Sequence, residues 1–131
     1  MNTLSNPNTV HKPAGPYHHT VLVSDDARWL VISGQVGMDR EGNIASGARA
    51  QSEQAFRNIA ACLEANGMRK EDLVKFTVYL TDARFMADYR AARSAVIGDD
   101  VQPASTLLIV AGLASPDFLV EIEAWAAKPM L

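Results

Sequence analysis

Glu121 and Glu123 stand two residues apart in Leu119-Val120-Glu121-Ile122-Glu123-Ala124-Trp125. In a strand this spacing sends both carboxylates to one face and Val120, Ile122 and Ala124 to the other. A carboxylate withdrawn from bulk water needs a partner, a proton or a reacting water. The pair therefore suits general acid–base work, and it suits two rim or interface charges equally well. Ser33-Gly34-Gln35 ends an apolar run and offers a hydroxyl, open backbone and a side-chain amide for a small polar ligand. Gly15-Pro16-Tyr17 fixes a turn and presents a phenol, which in such a turn is more often a packing lid than an acid.

Other chemistries lack their residues. His18 and His19 are neighbours, and in an extended segment their imidazoles point apart; His11 adds a third ring without spacing logic, so no metal site is expected. Cys62 lies on an apolar helical stripe with no histidine nearby in sequence, which reads as an inert, buried thiol. No Gly-x-Ser-x-Gly elbow, phosphate loop or dinucleotide fingerprint occurs.

These residues need a scaffold. Met1 to Gly15, rich in Asn, Thr and Pro, reads as a mostly extended arm. Thr20 to Val23 and Trp29 to Ser33 are strand-like runs joined by polar turn residues, which predicts a β-hairpin. A helical period runs from Ser46, the expected N-cap, to a stop at Asn66-Gly67, with Ala48, Ala55, Ile59, Cys62 and Leu63 along its stripe. Leu73 to Leu80 alternates as a half-buried strand with Val74, Phe76, Val78 and Leu80 on one face. A second helix follows the cap Asp82, with the stripe Phe85, Tyr89, Ala92 and Val96 and a stop at Gly98. Ser105 to Ala111 and Phe118 to Ala126 supply two more strands. The order β-β-α-β-α-β-β predicts an α+β fold with two helices on one face of a mixed sheet.

The far side of that sheet poses a problem. In Thr106-Leu107-Leu108-Ile109-Val110 both alternating sets are largely apolar, so the face turned from the helices must also be covered. Copies of the same chain in a closed symmetric assembly would do this, and so would a bent sheet burying both faces within one chain.

The 131 residues are enough for a single domain with a real core. Twelve Lys plus Arg against 15 Asp plus Glu give a net charge of −3, with no clustered basic face, which argues against nucleic acid as a partner. One cysteine makes no internal disulfide and fits a reducing cytoplasm. No stretch is apolar enough to span a membrane and the N-terminus lacks a secretory layout, so a small-molecule ligand and copies of the chain remain as partners.

The ordered set Gly15-Pro16-Tyr17, Ser33-Gly34-Gln35, Gln51-x-x-Gln54-Ala55-x-x-Asn58-Ile59, Asp72-Leu73-Val74-Lys75-x-Thr77-Val78-Tyr79-Leu80, Pro103-Ala104 and Leu119 to Ala124 resembles the RidA/YjgF family of reactive-intermediate deaminases. The resemblance implies a chorismate-mutase-like fold, a homotrimer around a central barrel and ligand clefts between subunits. It also implies hydrolysis of enamines or imines to 2-keto acids and ammonia without a cofactor, pyridoxal phosphate acting only upstream. By this resemblance Glu121 handles the attacking water, and Tyr17, Ser33, Gly34 and Gln35 line the cleft. Tyr89 falls near the family's asparagine, and Ser105 stands where the family carries an arginine that clamps the substrate carboxylate.

That departure carries weight, because a serine offers one neutral hydrogen bond where an arginine offers a charged planar fork. Two functional readings follow: a deaminase-type hydrolase acting on something other than simple 2-imino acids, or a non-catalytic trimer that binds a metabolite or a protein. On the first reading anionic ligands are held poorly unless Arg28, Arg90 or Arg93 reaches the cleft from a neighbouring subunit, and Ser105→Arg is expected to raise imine hydrolysis.

Overall fold

The computed structural model describes residues 2–130. Its elements are β1 (Thr3–Ser5), β2 (Thr20–Leu22), β3 (Ala27–Val36), α1 (Ala48–Ala65), β4 (Leu73–Leu80), α2 (Met86–Val96), β5 (Ala104–Ile109) and β6 (Val120–Pro129), with single 3-10 turns at Lys70–Asp72 and Ala83–Phe85. A four-stranded sheet runs β3-β6-β4-β5, antiparallel except for the parallel pair β4–β5. Both helices pack on one face of it, as the hydrophobic periods require. Among the described residues no helix is long and apolar enough to cross a membrane.

The core forms where the stripes meet. Phe56, Ile59 and Leu63 of α1 and Ala92 of α2 close on Phe76, Val78 and Leu80 of β4 and on Val120, Ile122, Ala124 and Ala126 of β6. Phe56 lies edge-on to Phe76 with centroids 5.5 Å apart, the arrangement aromatic quadrupoles favour. Cys62 is partly buried against this core.

Three local expectations are corrected. The N-cap of α1 is Gly47, not Ser46: its φ of 90° is a backbone state that glycine adopts without a Cβ penalty, and no side chain caps the helix. In β4 the register slips between Leu73 and Lys75, so Val74 is the bulged residue and Leu73 takes the core position. Most consequentially, β2 does not form a hairpin with β3. It pairs antiparallel with β1 of the N-terminal arm, Leu4 opposite Val21, while β3 joins the main sheet through β6. The polar turn between β2 and β3 is real, but the better partner for β2 lies at the other end of its own segment.

The sheet face turned from the helices carries an apolar cluster that is open in the single chain. Trp29 and Trp125 stack edge-on at 5.9 Å, and Val31, opposite Trp125 in the ladder, is 59% exposed. Leu108 on β5, 41% exposed on the same face, lies apart from that cluster beside Tyr79, with Lys75, Thr77, Glu121 and Glu123 between them.

Candidate functional site

The side chains singled out from the sequence assemble into two groups on opposite faces of the sheet. The first is built around Glu121. It sits opposite Val36 on β3 and Tyr79 on β4, on the face turned from the helices, since Val78 and Leu80 on either side of Tyr79 are buried in the core. A β-bulge between Ile32 and Gln35 brings Gly34 directly beneath its carboxylate. A Cβ placed on Gly34 would lie 1.9 Å from Oε2 and 2.8 Å from Cδ of Glu121, so only a glycine admits the acid here. Ser33 lies exposed in the same bulge, and the Gln35 amide turns back to donate to the Ser33 carbonyl at 3.2 Å.

The two acids have separate roles. Glu123 accepts a hydrogen bond from the Tyr79 hydroxyl at 2.8 Å, whereas no hydrogen bond or ion pair to Glu121 occurs among the described residues. The bond to Glu123, then desolvation, then the charges of Glu123 and Glu121 push the Tyr79 phenol above its ordinary pKa, keeping it a donor.

The second group lines a cavity of about 250 Å3 between α2, β5 and the arm. Ser105 lies beside Phe76 in the parallel ladder and therefore points to the helix side. Tyr89 comes from α2, and Ala14 to Tyr17 form the outer wall. This wall is tied down: the Ala14 amide donates to the Tyr17 hydroxyl at 3.3 Å, the His18 amide donates to the Pro103 carbonyl at 3.2 Å, and the His18 ring is bonded to the Gln102 carbonyl at 2.6 Å. His19 turns the other way, to the His11 carbonyl at 2.6 Å. Among the described residues no group of three or more His, Cys, Asp or Glu could hold a metal ion.

Two features of this cavity refine the reading from sequence. Arg93 and Arg90 line it from the same chain, not from a neighbouring one, while Arg28 does not. From sequence both were named only as guanidiniums that could enter from a neighbouring subunit, and their place on α2 of the same chain corrects that. Arg93 follows Tyr89 by four positions, so it falls on the stripe that must face the sheet, and a polar residue on a buried stripe is a readable signal. The Tyr89 hydroxyl is buried without a hydrogen-bond partner, although Ser105 and Arg93 lie near enough to act on it; burial is the main influence pushing its pKa up.

The same signal marks Gln51, 2% exposed on the inner face of α1. Its amide donates to the carbonyls of Ala45 at 3.1 Å and Asp117 at 3.0 Å, and its oxygen accepts from the Leu119 amide at 2.9 Å. Asn58 donates to the Val36 and Met38 carbonyls at 3.3 and 3.0 Å. Together they fix the end of β3 and the start of β6, the two segments that bring Gly34 and Glu121 into contact.

Known proteins share this architecture. The family model described as "Endoribonuclease L-PSP" matches residues 8–128. A 2-iminobutanoate/2-iminopropanoate deaminase from Salmonella typhimurium is 34% identical over 125 residues, 92% of this chain and 94% of the relative. A RutC family protein from Pyrococcus horikoshii is 36% identical over 119 residues, covering 89% and 90%. The solved structure of the Rid-family protein YyfB from Yersinia pestis superposes with a TM-score of 0.83 at 28% identity over 97% of this chain and 98% of its own. RidA from an Antarctic Psychrobacter gives 0.72 at 33%, over 96% and 99%. The chain belongs to the RidA/YjgF family, and its fold is the chorismate-mutase-like one that the resemblance implies.

Proposed function

We propose that this chain, acting as one unit over residues 1–131, hydrolyses enamines or imines in clefts between the subunits of a cytoplasmic homotrimer. The substrate is one other than the simple 2-imino acids, because Ser105 replaces the β5 arginine. The observation that carries this reading is the division of the site. Glu121 over Gly34 and the cavity of Tyr17, Tyr89 and Ser105 lie on opposite faces of one sheet, so a single copy cannot apply both to one substrate. A second copy seated on the face that carries Trp29, Val31, Trp125 and Leu108 would cover what water should not touch and bring its own cavity toward Glu121.

In such a cleft the cavity holds and orients the ligand, and Glu121 takes a proton from water as the oxygen attacks the imine carbon. The C=N electron pair moves to nitrogen, which gains a proton. The carbinolamine then collapses to a carbonyl as the C–N bond breaks and ammonia leaves. An enamine first becomes the imine by protonation at carbon. Water is the only co-reactant and supplies both protons: Glu121 passes the first to the imine nitrogen on addition, then takes the carbinol hydroxyl proton and passes it to the leaving nitrogen on collapse.

The experiment is release of ammonia and 2-oxo acid from freshly generated amino-acid-derived imines. At least one should turn over well above the buffer rate, with 2-aminoacrylate among the poorer substrates. Buffer-rate release across the panel would instead favour the second reading, a non-catalytic trimer that binds a metabolite or protein, for which Ser105 is the motivating residue.

Assembly can be tested separately. Val31→Lys places a charge in the middle of the apolar cluster, where burying each large side chain contributes about 1.5–3 kcal/mol. Analytical ultracentrifugation should show a trimer for the parent chain and a folded monomer for the variant, with turnover lost in parallel. A parent chain that sediments as a monomer rules the cleft out.

A further inference from the structure

Arg93 is an expensive residue for its position. It is 5% exposed, and burying a guanidinium costs several kcal/mol unless something answers its charge. Among the described residues nothing acidic does so. The ion pairs are Arg49–Glu53, Arg69–Glu71 and Arg84–Asp82, and Asp99 acts on Arg93 only from beyond ion-pair distance. Among the described residues Arg93 donates from Nη2 to the Val101 carbonyl at 3.0 Å, Tyr89 lies near enough to act on it, and its guanidinium carbon lies 5.6 Å from the centre of the Phe76 ring. These contacts fix the head group in place and leave most of its five N–H donors unused. Burial lowers its pKa, yet a guanidinium remains charged at any working pH.

The surroundings lack only an anion. Tyr89, one helical turn before Arg93, is 4% exposed with its hydroxyl unpartnered, and Ser105 faces both from β5. The cavity has no acidic residue in its wall, apolar side chains in Met86 and Leu107, and a second arginine, Arg90, exposed at its mouth beside Gly15. One buried positive charge and two hydroxyls match the single charge and two acceptor oxygens of a carboxylate. A phosphate dianion would carry a second charge that the single buried guanidinium leaves to Arg90, exposed at the mouth.

We infer that Arg93, working from helix α2 with the hydroxyls of Tyr89 and Ser105, is the anion clamp of this cavity and selects a small carboxylate whose short apolar tail lies against Met86 and Leu107. The inference rests on the cleft being the ligand site proposed above, and it deepens that reading by supplying the charge that β5 lacks. An acid drawn toward α2 is held from a different wall than one gripped by a β5 arginine, and its reacting carbon shifts with it. This is a physical reason for a substrate other than the simple 2-imino acids.

The test needs binding, not turnover. Calorimetric titration compares 2-oxobutanoate with its uncharged primary amide, and inorganic phosphate serves as the competitor. The parent chain should prefer the acid over the amide by at least about tenfold, since a charged hydrogen bond is worth this much or more. Arg93→Gln should bring that ratio close to one, and Arg93→Lys should retain part of it by keeping the charge without the fork. Equal affinity of the parent chain for acid and amide overturns the inference even if no Arg93 variant folds. So does an undiminished ratio in folded Arg93→Gln, or phosphate displacing the acid at lower concentration. Loss of the clamp with imine turnover intact would leave the proposed reaction standing, and acid selectivity without turnover would do the reverse.

Discussion

Glu121→Gln is expected to lower turnover of the best imine substrate by roughly two to four powers of ten, with little change in the affinity for a small acid. Glutamine keeps the shape that rests on Gly34 but cannot take a proton from water. The neighbouring acid cannot stand in for it, because Glu123 already accepts the Tyr79 hydroxyl at 2.8 Å. A companion substitution separates chemistry from charge. Gly34→Ala leaves Glu121 ionisable but puts a methyl group where Oε2 now lies, 1.9 Å from the new carbon, so the carboxylate must move. A displacement of about 1 Å at a reacting group costs on the order of 100-fold, and kcat should fall by about that much with KM nearly constant. The backbone at Gly34 is not in the left-handed region, so alanine adds no backbone strain. Cδ and Cγ of Glu121 also lie 2.8 and 2.9 Å from the new carbon, however, and a modest loss of stability in urea should accompany the fall in kcat. Full activity in Gly34→Ala would mean that Glu121 does not handle the water.

How far the sequence discloses this site depends on whether a signal is local. The alternation of Leu73 to Leu80 gives the bounds of β4, and the two apolar periods give both helices, because periodicity reports burial along one continuous segment. The partner of β2 is not encoded that way. A turn between Leu22 and Ala27 suits a hairpin, yet β2 pairs with β1 of the arm while β3 joins β6 by one edge only, so which partner β2 takes is decided by the arm and not by the turn. Glu121 and Glu123 share a face as their spacing requires, but only the bulge at Gly34 separates a carboxylate resting on backbone from one bound to Tyr79. Arg93 lay in plain view on the stripe of α2. Its guanidinium counted from sequence only as a neighbouring subunit's contribution, because spacing along α2 does not reveal that α2 and β5 of one chain wall the same cavity.

Ser105→Arg tests that lesson, because sequence and structure predict opposite results. Taken alone, the resemblance makes the substitution a repair that restores a missing fork. In the folded chain Ser105 shares a cavity of about 250 Å3 with Arg93 and Tyr89, so a second guanidinium would enter space that the ligand needs and face a like charge. The cavity has room for the side chain, so the cost is electrostatic: like-charge repulsion from Arg93 at low dielectric, with the new guanidinium desolvated beside it. The single variant should therefore lose stability in chemical denaturation and bind 2-oxobutanoate at least about tenfold more weakly than the parent. Combining it with Arg93→Gln removes the competing charge and part of the bulk, leaving one fork on β5. The double variant should regain acid selectivity that neither single variant has, with a coupling of about 0.5–3 kcal/mol in the double-mutant cycle. Additive losses would show that residues 93 and 105 do not serve the same ligand group. A Ser105→Arg variant that binds the acid more tightly at no cost in stability would show that the charge site had been vacant, and that Arg93 is buried for packing alone.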